Sequence, residues 1–228
     1  MNFNPISSLQ LPLFVYGEPT ANILDVLPAV WNATEALASP EAVTRHHGID
    51  ALVELGVQRA SPLVAYMICT CLNDPDIYIR RRAIYILADL ITNGPVANQT
   101  SEDVRKTVTN YLHNMRAETI FGLLEVTVMD PMVEKSIYHL FNACPYAGRY
   151  LGDILSQYKN SLPIRQKAIY YVGLVGYTEA LPILERLLNR MEARLNGQYA
   201  MTFAPLSNNP DDDIIPNLRI AIHQLSAP

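Results

Sequence analysis

Cysteine and histidine are scarce in this chain of 228 residues, which has three of the former and five of the latter. Cys69 and Cys71 are two residues apart, and on a helix they would lie about 200° apart, so they cannot hold one ion together. Adding Cys144 does not make a disulfide framework. His46 and Asp50 could share a helix face, but two ligands do not make a metal site. The sequence therefore predicts no metal ion and no other cofactor.

Glycine is also scarce, with ten residues, and none of them falls in a motif that cradles phosphate. The patterns GxxxxGK[ST] and GxGxxG are absent, and so is the GxSxG elbow of hydrolases. Acidic residues are scattered, and no pair stands out as a general acid and a general base. We therefore expect a protein that is not an enzyme.

Basic charge and long apolar runs are lacking as well. Lysine and arginine number 17 against 22 aspartates and glutamates, a net charge of −5, and no basic stripe of the kind that binds nucleic acid is present. The longest strongly apolar run, residues 63–72, has about half the length that spans a bilayer. The N-terminus is a poor signal peptide, because no Lys or Arg precedes its apolar residues and Pro5 and Pro12 interrupt them. We expect a cytoplasmic protein that binds neither nucleic acid nor a membrane.

Helical periodicity is what the chain has in abundance. Half of its residues are hydrophobic, and in residues 74–91 the apolar ones recur with the spacing of a helix. Asp74 suits the start of that helix, and no stretch alternates with a period of two for long enough to predict a strand. The sequence predicts an all-α fold. Its segments are an irregular arm at 1–20, helices over 21–195, a linker or loop at 196–210 and a C-terminal capping helix at 211–228.

Related sequence recurs within the predicted helices. A small residue is followed by isoleucine and, three residues after that, by leucine or valine. The small residue stands at Gly48, Ala83, Ser136 and Ala168, at spacings of 35, 53 and 32 residues. Periods of about 30 to 50 residues are typical of helical solenoids, in which neighbouring units bury faces that none could bury alone. The longest gap requires an additional or degenerate unit, for which residues 101–115 are a candidate.

The unit that contains Ala83 begins with Asp-Pro, continues with a β-branched residue and Arg80, and ends in a long apolar stripe. This pattern resembles the HEAT repeat in its short bacterial form, over roughly residues 40–190, with Val133 standing where the pattern has arginine. The resemblance implies an α-α superhelix, a HEAT-like helical-repeat solenoid, over residues 21–195.

The same resemblance implies where a partner binds. In HEAT-like solenoids the second helix of each unit usually lines the concave side, and exposed arginine and tyrosine are common at binding hot spots. Those helices are expected at 61–73, 117–129, 146–159 and 178–195, with Glu125, Tyr158 and Glu185 among their polar and aromatic members. The residues that we predict to contact a protein partner, on these helices and in the basic run at 80–82, are Tyr66, Arg81, Arg82, Arg149, Tyr150, Arg186 and Arg190.

The basic run from Arg80 to Arg82 has two interpretations. Arginine at this position is commonly structural in the HEAT pattern, and Arg165 holds the same position in another repeat. Its partner would be Asp76 or a carboxylate of a neighbouring unit. Alternatively, the run forms an anion-attracting patch with Arg105, Lys106 and Arg116. We favour the structural interpretation.

These observations favour a non-enzymatic HEAT-repeat scaffold or adaptor that binds a protein partner on a curved helical surface. An enzyme or enzyme accessory subunit is the first alternative, because HEAT-like repeats also occur in bilin lyase-type proteins and in DNA alkylpurine glycosylases. The glycosylases need a positively charged groove with aromatic side chains, whereas this chain is acidic and has one tryptophan, Trp31. The second alternative is a structural subunit of a homo-oligomer, such as a homodimer formed through the apolar arm at 1–20.

Overall fold

The computed structural model describes the backbone of residues 23–92, 100–200 and 213–226, and the side chains of 26–92, 100–196 and 213–226. Within these ranges there is no strand and the secondary structure is helical, so the all-α prediction is confirmed. None of the described helices is long and apolar enough to cross a membrane. The helices, in chain order, are α1 (Ile23–Leu37), α2 (Ala42–Glu54), α3 (Pro62–Thr70), α4 (Ile77–Ile91), α5 (Glu102–His113), α6 (Ala117–Met129), α7 (Glu134–Asn142), α8 (Ala147–Ser156), α9 (Leu162–Val175), α10 (Leu181–Ala200) and α11 (Ile215–Ser226).

The start of α4 is displaced from the position that the sequence predicts. Oδ1 of Asp76 accepts hydrogen bonds from the backbone N–H groups of Tyr78 and Ile79, so Asp76 caps the helix. The predicted cap, Asp74, instead accepts from the N–H of Asp76 and forms a turn ahead of the helix. Asp74 thus holds the turn and Asp76 caps the helix that follows it. Pro75 lies before the helix and not in its first turn.

The first of two compact units comprises residues 1–71 and 89–111. Helices α1 and α2 pack against each other in this unit. Gly48 permits their approach, since a Cβ at this position would lie 2.8 Å from the backbone oxygen of Ala33. The segment that follows α2 is held by Arg59, which forms an ion pair with Asp89. The small residue of this repeat therefore stands at a helix–helix contact, as the sequence predicts.

In the second unit, whose described residues are 72–88, 112–200 and 213–226, we group the helices into two rows by their contacts. In one row α7 packs against α9 and α9 against α11, and an ion pair of 3.2 Å between Arg81 and Asp130 joins α4 to the residues just before α7. In the other row α8 packs against both α6 and α10. The rows meet where α9 contacts α6 and α8 and where α10 contacts α11. From α6 onward, successive helices alternate between the two rows.

The repeated apolar stripe of the sequence is buried in both units. The isoleucine that follows each small residue is fully buried in all four repeats, at Ile49, Ile84, Ile137 and Ile169. The residue three positions later, leucine in three repeats and Val172 in the fourth, is fully buried as well. Each such side chain stabilises the fold by about 1.5–3 kcal/mol relative to an exposed one. The predicted apolar stripe is confirmed.

The structure bears on some of the predicted segment boundaries. Helix α10 does not end near Leu195 but continues to Ala200, so helix occupies the beginning of the linker predicted at 196–210. Gly197 does not stop it, because a glycine inside a helix costs only about 1 kcal/mol relative to alanine. The arm at 1–20 and the rest of the linker lie outside the described residues. The single repeat domain over 21–195 stays a prediction.

Tyr177 connects the end of α9 to the end of α7 in the second unit. It follows Gly176, which ends α9 with a φ of 87°. The buried hydroxyl of Tyr177 is directed at two backbone oxygens near the end of α7, those of Phe141 at 2.6 Å and Cys144 at 3.0 Å. Burial, with a further contribution from Cys144 and Glu179, raises the pKa of this phenol above its ordinary value.

We expect Tyr177→Phe to reduce the loss of stability that the protein undergoes as the pH rises into the alkaline range. An unfolded tyrosine releases its proton near about pH 10, whereas the folded Tyr177 holds it to higher pH. Tyr177 therefore makes its full contribution to the free energy of unfolding below about pH 10. Above that pH the contribution falls by about 1.4 kcal/mol per pH unit. Urea unfolding followed by circular dichroism, from about pH 8 to about pH 11, should show a shallower decline in the variant.

Tyr158→Phe removes an exposed tyrosine hydroxyl and is the control for the loss of one phenol. A decline as steep in Tyr177→Phe as in the wild type would contradict the role of Tyr177 as a buried donor.

Candidate functional site

The seven residues predicted to bind a partner occur in both units. Tyr66 belongs to the first unit, where its ring is 43% exposed and stands edge-on to that of Tyr111, with 5.8 Å between the ring centroids. The other six belong to the second unit and lie on three of its helices. These are Arg81 and Arg82 on α4, Arg149 and Tyr150 on α8, and Arg186 and Arg190 on α10.

The basic run of α4 takes part in the packing of the second unit. Nη2 of Arg80 lies 3.0 Å from Oε2 of Glu125 on α6, and the Arg80 side chain is 16% exposed. Arg81 pairs with Asp130, and its guanidinium lies 5.6 Å from the centroid of the Tyr78 ring. Carboxylates thus match the charges of Arg80 and Arg81. This arrangement supports the structural interpretation of Arg80 and leaves less free charge for an anion-attracting patch.

Two glycines on one face of α8 allow α10 and the turn before it to approach closely. A Cβ at Gly148 would lie 2.6 Å from Cβ of Tyr177, and a Cβ at Gly152 would lie 2.6 Å from Cδ1 of Ile183. The two glycines are four residues apart and therefore face the same way. Ser156, one further turn along α8, borders an open cleft of about 220 Å³ whose other wall is α10.

This opening, which we call the arginine cleft, is lined by Ser156, Ile183, Arg186, Leu187 and Arg190. Arg186 and Arg190 are one turn apart on α10, and both are exposed. Leu187 is buried and Ile183 is half-buried, so they supply apolar carbon between the polar groups. The cleft therefore combines two positive charges, one hydroxyl and an apolar floor.

Each polar group of the arginine cleft makes one hydrogen bond within the protein. Nε of Arg186 donates to a backbone oxygen of its own helix at 3.0 Å. Nη1 of Arg190 donates to the Tyr158 hydroxyl, also at 3.0 Å. The Ser156 hydroxyl donates to the backbone oxygen one turn earlier in α8 at 3.0 Å. Because a guanidinium carries five N–H donors, both arginines retain donors that can face a ligand.

The electrostatics of the arginine cleft favour an anion. Among the residues that the structure describes, no carboxylate forms an ion pair with Arg186 or Arg190. A third guanidinium, that of the buried Arg165, lies 5.2 Å from the centroid of the Tyr158 ring. In a chain whose net charge is −5, two exposed arginines without a matching carboxylate attract negative groups locally.

Arg149 and Tyr150, the two residues of α8 that the sequence predicts to contact a partner, precede Ser156 in the helix and do not line the cleft. Arg149 is exposed and shares a helix face with Asp153 and Ser156, at i, i+4 and i+7, whereas Tyr150 is half-buried. The spacing from Arg149 could have identified Ser156, which the sequence analysis missed. It could not have identified Leu187, because an apolar residue on an amphipathic helix has the same pattern whether it floors a cleft or fills a core.

Two observations concern metal binding and thiol chemistry among the described residues. Among them there is no group of three His, Cys, Asp or Glu side chains that could hold a metal ion. The three cysteines are free and buried. Burial raises the pKa of the Cys69 and Cys144 thiols, so both stay protonated at neutral pH and are poor nucleophiles.

No protein-family model matches the chain, and no curated protein or solved structure is significantly similar to it. The candidate site therefore rests on the geometry of α8 and α10.

Arg186→Ala and Arg190→Ala should each change the free energy of unfolding by less than about 1 kcal/mol, because exposed arginines with single hydrogen bonds contribute little. Arg165→Ala should cost about 2–4 kcal/mol, because it empties a fully buried position. Urea unfolding at neutral pH measures all three variants. A cost for Arg186→Ala equal to that of Arg165→Ala would show that Arg186 serves the fold rather than a ligand.

Proposed function

We propose that this chain is a non-enzymatic scaffold or adaptor, built as a HEAT-like α-α superhelix, that binds a protein partner on the row of α6, α8 and α10. The observation that carries the proposal is the arginine cleft. Its two exposed arginines form no ion pair within the described part of the fold. Arginine beside tyrosine, here Arg190 beside Tyr158, is a frequent composition of binding hot spots.

The order of helix contacts supports the proposed architecture. In a solenoid each unit contacts the units that precede and follow it in the chain. In the second unit Arg81 of α4 pairs with Asp130, just before α7, and Glu134 of α7 pairs with Lys167 of α9. These ion pairs link α4, α7 and α9 in chain order. The alternation of helices between two rows is the packing that stacked helix pairs would produce.

The composition of the exposed face of α8 and α10 supports a protein as the partner. Arg149 and Asp153 are exposed on α8, and Tyr158, just after α8, is 52% exposed. A surface of mixed charge with exposed tyrosine suits a polar, reversible protein–protein interface. It suits nucleic acid poorly, because phosphate recognition uses a surface that is positive throughout.

Affinity capture from the lysate of the source organism tests the proposal. We expect the tagged protein to retain a protein partner whether or not the lysate has been treated with nuclease. Arg149→Glu should reduce that capture by at least about tenfold, since it reverses a charge on the proposed surface. Lys135→Glu is the matched control, because it makes the same charge change at an exposed position of α7, in the other row.

An empty eluate from the wild type, or one that nuclease abolishes, would overturn the proposed function. An equal loss in both variants would show that net charge, rather than the row of α6, α8 and α10, determines the capture.

A further inference from the structure

We infer that the arginine cleft binds a glutamate side chain together with a neighbouring backbone N–H, both supplied by an acidic segment of a protein. This inference rests on the proposed function and deepens it, because it names the group by which the partner is held. It follows from the charge, hydrogen-bonding capacity, size and rigidity of the cleft.

The charge of the cleft calls for a carboxylate or another anion. Arg186 and Arg190 project from successive turns of α10, and no described carboxylate forms an ion pair with either. A single anionic group between them would accept charge-assisted hydrogen bonds from both guanidinium groups, and such bonds are about twice as strong as neutral ones.

The hydroxyl of Ser156 distinguishes a peptide from a simple anion. Ser156 donates its one hydrogen to the backbone oxygen of Gly152, so its oxygen can only accept from a ligand in the cleft. The best ligand must therefore offer acceptors to the arginines and a donor to Ser156. An acidic residue in a peptide offers both, a side-chain carboxylate and a backbone N–H. A fully ionised phosphate group offers acceptors only.

The size of the cleft suits a single side chain, and its apolar floor favours glutamate over aspartate. A volume of about 220 Å³ is smaller than the pockets of about 300 Å³ and above that enclose small molecules and cofactors. Ile183 and Leu187 supply apolar surface between the polar groups. Glutamate has one more methylene than aspartate to place against that surface, and burying a methylene is favourable.

The cleft is also held in position before a ligand arrives. Arg190 donates to the hydroxyl of Tyr158, and the ring of Tyr158 lies against the guanidinium of the buried Arg165. An arginine restrained in this way loses less side-chain freedom on binding than a free one, so more of the interaction energy appears as affinity. Tyr158 is thus a positioning residue for Arg190.

The test uses the full-length protein labelled with ¹⁵N and the blocked peptide acetyl-Gly-Leu-Glu-Leu-Gly-amide. The comparison probes are its glutamine analogue and sodium sulfate, whose anion offers acceptors only at neutral pH. We expect saturable shifts of the amide and arginine Nε–H signals of α8 and α10. The glutamate peptide should bind at least about tenfold more tightly than the glutamine peptide, because the carboxylate supplies the charge-assisted bonds.

The double variant Arg186→Ser/Arg190→Ser should weaken binding of the glutamate peptide by at least about tenfold. Lys106→Ser/Lys135→Ser is the matched control, because it removes the same charge from two exposed positions on α5 and α7. It should leave the affinity within about twofold, because neither lysine lines the cleft and the effect of exposed charges outside a site is screened by salt.

Two results would overturn the inference. Sulfate that binds the cleft as tightly as the glutamate peptide would indicate a plain anion site. The absence of saturable shifts in α8 and α10 with any probe would remove the site.

A partner captured by the wild type and lost in Arg149→Glu, without peptide binding at the cleft, would sustain the proposed function and reject the acidic segment. Peptide binding at the cleft with an empty lysate eluate would sustain the preference for glutamate and reject the adaptor function.

Discussion

The structure depends on the burial of an apolar stripe that no single helix can bury by itself. Short helices are marginal in water, and most of their stability in a protein comes from packing. In each repeat a small residue stands ahead of a buried isoleucine and a buried leucine or valine, as in the series Gly48, Ile49 and Leu52. In the second unit the stripes lie on α4, α7 and α9, and α9 contacts α6 and α8 of the other row. The outward faces remain free to carry polar residues.

Arginine at one position of the repeat shows how a recurring residue serves different neighbours. Arg45 donates to two backbone oxygens just before α2, Arg80 pairs with a carboxylate of α6, and Arg165 is buried against the ring of Tyr158. In the remaining repeat the position holds Val133, which is fully buried. Arginine combines an apolar stem with a head of five donors, so its head can donate to whichever acceptor the adjoining residues offer.

The arginine cleft follows from the same packing. The start of α10 can approach α8 because Gly148 and Gly152 leave room for it, and the opening lies beside Ser156, the last residue of α8. A buried arginine then supports an exposed one, since Arg165 lies against the tyrosine that receives a hydrogen bond from Arg190. The core thereby restrains a group that the described fold does not use for any ion pair.

The sequence by itself determined the all-α class and the buried stripe, because helical periodicity is a local property of the chain. It also indicated arginines on α10 as binding candidates. Only the tertiary structure decided that Asp76 rather than Asp74 caps α4, that α10 continues to Ala200, and that Arg186 and Arg190 share a cleft with Ser156. Residue spacing shows which face of a helix is apolar. It does not show which other helix that face meets, so distances between residues about 30 positions apart are set by packing.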